Sequence, residues 1–265
     1  MEYSGCTSPM GASSGVASPK PARTGGPRLF QRLTVNQIIQ HLVLTVTFLI
    51  LIATGMPQKF PHMPYSKPLF MLFGGPEIAP VIHRICGILS LLLTVYHFGY
   101  LIFRWIHEGW NPFKNFFSRL KTGDLALCPS AKDGRDIADK FRYFFGTKKE
   151  PPALKKWAYA EKIDYLAVIF GTIMIGLTGV CLLFREFVMS FMPWWWMTVC
   201  ITIHSYEAFL ATIFIFTFHF YNVHFVPENF PMIKSWITGK MTEEEMIHER
   251  KMWYDEIVAK EKRET

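Results

Sequence analysis

Four stretches of this chain are apolar almost without interruption, and polar positions cluster between them. The stretches run from about Ile38 to Met56, Ile82 to Phe103, Tyr165 to Phe184 and Trp195 to Tyr221. As helices rising ~1.5 Å per residue, each can cross a hydrocarbon core of ~30 Å. The pattern predicts an all-α, integral membrane four-helix bundle. The second and fourth spans are interrupted almost solely by histidines, Arg84 and Glu207. Between the first two spans, Pro61, Pro64, Pro68 and Gly74-Gly75-Pro76 predict an irregular cap. The connection from Arg104 to Lys162 is too long for a bare loop. Within it, residues 131–145 read as a short amphipathic helix ended by Gly146, and Pro151-Pro152 breaks the chain.

Residues 1–28 are rich in Gly, Ser, Pro and Ala and predict a disordered tail. They lack a continuous apolar run, so no cleaved signal is expected. The bundle domain is placed at 29–240. From 241 to 265 a charged helix is expected, opened by a capping box of Thr242 and Glu245.

Half of the residues are apolar and the mean hydropathy is +0.18, in keeping with a membrane protein. Lys and Arg outnumber Asp and Glu by 28 to 21, and their placement is informative. Lys20, Arg23, Arg28 and Arg32 precede the first span, and the second connection is densely basic. The first connection offers Lys59 and Lys67, the third only Arg185. The positive-inside bias therefore predicts both termini and the long loop in the cytoplasm, with the C-terminal helix on that side too. Topology accounts for the charge, and nucleic-acid binding need not be invoked. Trp194-Trp195-Trp196 fits the outer interface; Trp105, Trp110 and Trp157 fit the inner one. Five scattered cysteines form neither CxxCH nor CxxC, which argues against covalent haem, zinc and a disulfide framework.

The histidines carry the chemistry. Ionisable groups inside a span are costly and are functional candidates by default. His83 and His97 lie fourteen residues apart in the second span, His204 and His219 fifteen apart in the fourth. Each separation corresponds to roughly 21–22 Å along a helix. Side by side, the two helices present imidazoles at two levels, each suited to clamping a b-type haem iron from both sides. His83 with His204 forms the expected outer site. At the inner level His219 has two candidate partners: spacing favours His97, depth favours His41. Two haems are expected, with room for a third. Arg84 is placed to meet a haem propionate. Glu207 is a buried acid that bonds an imidazole, relays protons or pairs with Arg84. His224 is an interfacial candidate for a quinone or propionate contact, whereas His62, His107 and His248 read as solvated. Glycines in the spans allow a flat macrocycle, or a neighbouring helix, to approach.

The segments QHLVLTVTFLILIATGMPQKF, HRICGILSLLLTVYHFGYLIF, YAEKIDYLAVIFGTIMIGLTG and HSYEAFLATIFIFTFHFYNVHFVPENFP carry a resemblance over about residues 30–240. The chain resembles the membrane cytochrome b subunits of formate dehydrogenase, nickel–iron hydrogenase and thiosulfate reductase. It is similar also to cytochrome b domains found beside multihaem c-type proteins. The formate dehydrogenase pattern implies His41, His83, His204 and His219 as ligands; the bc-type pattern implies His83, His97, His204 and His219. The resemblance further implies a quinone site near one haem, and Asn36, Gln40, His41 and His224 are the inner-end candidates. An iron–sulfur or multihaem c-type partner subunit in the inner membrane is implied as well. The resulting expectation is an electron-transfer subunit of a respiratory complex. Its rivals are a histidine-lined proton or metal-ion transporter and a haem-free membrane anchor.

Overall fold

A computed structural model of the chain describes residues 28–107, 130–226 and 230–264. The expected N-terminal tail, residues 1–28, lies outside the described residues except for Arg28, as do Trp110, Cys128 and the basic residues Lys114, Arg119 and Lys121.

After a short strand β1 (Leu29–Gln31), α1 (Val35–Lys59) begins at Thr34. The Thr34 Oγ1 accepts from the Gln37 amide at 3.3 Å, and Gln37 Oε1 accepts from the Thr34 amide at 2.9 Å. Two donors at the helix start are thereby satisfied. The short α2 (Ser66–Leu72) caps the bundle before α3 (Ala79–His107). The amphipathic α4 (Ala131–Phe144) follows, and its chain turns at Gly146 with φ 72°. Next come α5 (Tyr159–Leu183), α6 (Arg185–Met189) and α7 (Trp195–Phe214). The last continues through two π-helical stretches, Ile215–His219 and Tyr221–Phe225. The tail comprises α8 (Ser235–Thr238), β2 (Lys240–Thr242), α9 (Glu243–Glu249) and α10 (Lys251–Glu264).

Among the described residues, four helices are long and apolar enough to cross a membrane: Val35–Lys59, Ala79–Arg104, Tyr159–Leu183 and Trp195–Phe225. They outrun the apolar windows because polar first turns, such as Glu161, Lys162 and Asp164 in α5, remain helical beyond the hydrocarbon. Helix α1 packs on α3 and α5 on α7, and the contacts α3–α5 and α1–α7 close the ring. Between helices lie small or polar side chains. Gln40, Thr47, Thr54, Ser90 and Thr178 are buried, and Ser90 Oγ donates to Thr47 Oγ1 at 3.1 Å. Outward stand Leu92, Val95, Phe170, Leu177, Phe209 and Leu210, all exposed. In water this distribution would be costly; against lipid it is the ordinary one, since apolar side chains gain nothing by leaving the tails and small residues let helices approach.

The all-α expectation needs one amendment. Strands β1 and β2 form an antiparallel pair with Phe30 opposite Met241. Three-residue strands carry no readable alternation, and only the packing of Phe30, Met241 and Met246 with Trp253, Tyr254 and Ile257 makes them pair. The expected box at Thr242 forms, with Glu245 Oε2 accepting from the Thr242 amide at 2.8 Å. The helix it opens is broken at Arg250, where α9 ends.

This end of the bundle is tied by buried ions. Arg32 donates to Glu161 at 2.7 Å and to Ser235 Oγ at 3.0 Å, while Arg250 pairs with the same carboxylate. Burial lowers the Arg32 pKa, and only the adjacent carboxylates oppose it. Lys162 reaches across to Asp133 of α4 at 2.9 Å. The tail therefore docks on its own bundle.

Candidate functional site

The histidines gather at two levels, which lie towards opposite ends of the bundle. Away from the tail, His83 of α3 faces His204 of α7 with ring centroids 6.3 Å apart. Near the tail, His41 of α1 faces His219, at the end of the first π-helical stretch of the α7 span, at 6.2 Å. Ring centroids just over 6 Å apart would leave room for one metal held between two imidazole nitrogens. Both pairs have that separation. Their planes cross at 71° and 41°.

The local contacts decide which nitrogen each ring offers. His83 Nδ1 lies 3.0 Å from Thr54 Oγ1. His204 Nδ1 lies 3.0 Å from the Ile175 carbonyl and 3.2 Å from Thr178 Oγ1. His219 Nδ1 lies 3.2 Å from Asp164 Oδ2. A carbonyl or carboxylate at Nδ1 keeps the proton there and leaves the Nε2 lone pair for a metal. His41 differs: its Nδ1 is buried without a hydrogen-bond partner, and its ring lies 5.6 Å from that of Trp236. Among the described residues, Nε2 of these four histidines is neither buried nor hydrogen-bonded. The donor set fits a pair of bis-imidazole haems.

Two glycines hold the first level in place. A Cβ on Gly55 would lie 2.9 Å from His83 Cε1, and one on Gly179 would lie 3.1 Å from His204 Cε1. Any side chain there would push the imidazole from its position. Gly176 instead admits Leu91 of α3, and a Cβ on Gly171 would lie 3.3 Å from Glu207 Oε1. Among the described residues, nothing stands within 4 Å of a Cβ at Gly87 or Gly99.

The structure brings His97 to neither pair. Its Nδ1 meets Gln40 Oε1 at 2.7 Å and its Nε2 meets the Tyr165 hydroxyl at 2.8 Å. Gln40 in turn donates to Asn36 Oδ1 at 2.6 Å, and Asn36 donates to the Tyr96 hydroxyl at 2.7 Å. Asn36 and Gln40 thus engage each other and His97 rather than an open cavity. His224 stands apart, with Nδ1 3.3 Å from the Pro231 carbonyl and its ring stacked on Phe220. Arg84 is exposed beside His83, and among the described residues no ion pair joins it to Glu207. His62, His107 and His248 are exposed. Thr54, Thr178 and Asp164 escaped sequence reasoning, although the repeated Thr-Gly pair (54–55 and 178–179) was a usable signal.

A family model described as prokaryotic cytochrome b561 matches residues 32–239. The chain belongs to the prokaryotic cytochrome b561 family. Comparison with individual curated proteins gives no match. The matched region begins at Arg32 and ends at Gly239, so it takes in all four spans and every residue of both histidine pairs. Membership marks the chain as a membrane cytochrome b of the haem-b electron-transfer kind.

Proposed function

We propose that this cytochrome b carries electrons across the inner membrane between the quinone pool and a partner redox subunit, through two b haems. One is held by His83 and His204, the other by His41 and His219. The observation that carries the reading is the pair of imidazole couples, at two levels, each with ring centroids just over 6 Å apart, which would let each couple hold one haem iron. The haem iron supplies one-electron redox chemistry when bound. The chain's part is to orient four imidazoles through Thr54, Thr178, the Ile175 carbonyl and Asp164, and to exclude water with a jacket of lipid-facing apolar side chains. Under this reading His97 is not an axial ligand, because both of its nitrogens already serve Gln40 and Tyr165.

The tail end is assigned to the cytoplasm, on the basic residues before α1 and around α4. A quinone at that level would meet His41, whose Nδ1 has no partner, and would reach the Asn36 and Gln40 amides only by displacing their bonds to each other, Tyr96 and His97. The partner subunit, of iron–sulfur or multihaem c-type, would exchange electrons at either end. Purified protein should show a reduced-minus-oxidised b-type band and two haems per chain. His41→Ala and His83→Ala should each remove one haem, while His97→Ala should keep both. Loss of a haem in His97→Ala with retention in His41→Ala would overturn the ligand assignment. Absence of any haem band would leave the transporter and anchor readings.

A further inference from the structure

The four spans repeat. Helices α1 and α5 are each 25 residues long, and each is followed by a phenylalanine, Phe60 and Phe184. Displaced by 124 positions, they align Ile39 with Ile163, Leu42 with Leu166 and Thr54-Gly55 with Thr178-Gly179. In α3 and the α7 span, Ile82-His83 aligns with Ile203-His204, Leu89 with Leu210, and His97-Phe98 with His219-Phe220. The one-residue excess between the last two histidines falls where α7 becomes π-helical, at Ile215–His219. A π turn absorbs one extra residue, so the second histidine keeps its face.

The side-chain contacts repeat with the sequence. His83 sits against Thr54 and Gly55 as His204 sits against Thr178 and Gly179. Fourteen residues before each threonine stand Gln40 and Asp164, and each bonds Nδ1 of its own hairpin's second histidine, His97 and His219. Exchanging the two hairpins carries the α1–α7 face onto the α5–α3 face. The pair His41–His219 thereby maps onto Tyr165–His97, since Tyr165 aligns with His41. Those two rings do meet, with centroids 5.8 Å apart.

We infer that the bundle is two copies of one helical hairpin, and that Gln40, His97 and Tyr165 form the counterpart of the tail-side haem site, closed to haem by Tyr165 standing where its mate has His41. The inference rests on the ligand reading above and adds a residue that sets how many haems the tail-side level takes. The phenol donates to His97 Nε2, and so occupies the one nitrogen through which that histidine could bind iron. A histidine at 165 would present a second Nε2 instead, as His41 does to His219.

The test exchanges the two sites within the full chain and counts haem by pyridine haemochrome after purification in detergent. Wild type should hold two haems and His41→Tyr one. The double variant His41→Tyr/Tyr165→His should return to two, and adding His97→Ala should remove one again. The haem of His83 and His204 reports folding in every variant. A double variant that keeps one haem, with a monodisperse elution profile, would overturn the inference while leaving the ligand reading intact. If His41→Tyr itself retains both haems, the ligand reading fails instead. Should the double variant not assemble, Tyr165→His alone decides the matter: a third haem lost on His97→Ala supports the closed site, and an unchanged count of two refutes it.

Discussion

At the scale of single residues, the four paired histidines are alike in type but differ in what stands behind them. His83 and His204 rest on neutral partners, a hydroxyl and a backbone carbonyl, whereas His219 faces the Asp164 carboxylate at 3.2 Å. A carboxylate at Nδ1 makes the imidazole more basic and stabilises a ferric ion over a ferrous one. Under the proposed ligand reading, Asp164→Asn should therefore raise the midpoint potential of the tail-side haem and leave the other unmoved. The scale is about 59 mV for each tenfold change in a one-electron equilibrium, and potentiometric titration of the α band reads it. A downward shift, or equal shifts of both haems, would contradict the assignment of Asp164 to His219. His97 shows the converse lesson. It has the right spacing for a ligand, yet its rotamer is fixed by Gln40 and Tyr165, residues 57 and 68 positions away.

At the scale of elements, the spans were legible because membrane helices announce themselves by length and hydropathy alone. The amphipathic helix near residues 131–145 was legible for a related reason, its periodicity and the Gly146 that ends it being local signals. The π-helical segments of the fourth span were not, since an i→i+5 turn has no residue signature. Its consequence is nevertheless large: it lets His219, fifteen residues beyond His204, keep the face that fourteen residues give His97. Inserting one alanine after Leu210 should rotate everything beyond by about 100°. Haem content should fall from two to one, with the remaining haem lost on His83→Ala. Retention of both would mean that the π-helical stretch is not what sets the register.

At the scale of the whole molecule, buried ions fasten the tail and α4 to the bundle at one end. Burial alone would raise the Asp133 pKa, but the Lys162 ammonium and the hydrogen bonds from Ser130 outweigh it and hold the carboxyl below its ordinary value. A depressed folded pKa means the ion pair contributes its full stability above the unfolded value, near ~3.9. That contribution disappears as pH falls through the lower folded value. Exchange of the α4 amides, taken relative to the intrinsic rate at each pH, should therefore be strongly protected at neutral pH and lose that protection as the medium is acidified below about 4. Asp133→Asn should exchange fast at every pH, and an α4 equally protected at pH 3 and 7 would exclude Asp133–Lys162 as its tether.

The amino-acid sequence by itself determined the number of spans, the dense basic loop, the candidate histidines and their two levels, because hydropathy, charge and helical period are local properties. The partnership of His41 with His219, the engagement of His97 by Gln40 and Tyr165, and the tail docking through Glu161 were decided only by the tertiary structure. Each depends on rotation and relative depth of helices distant in the chain, and a residue's own neighbours along the chain do not fix either quantity.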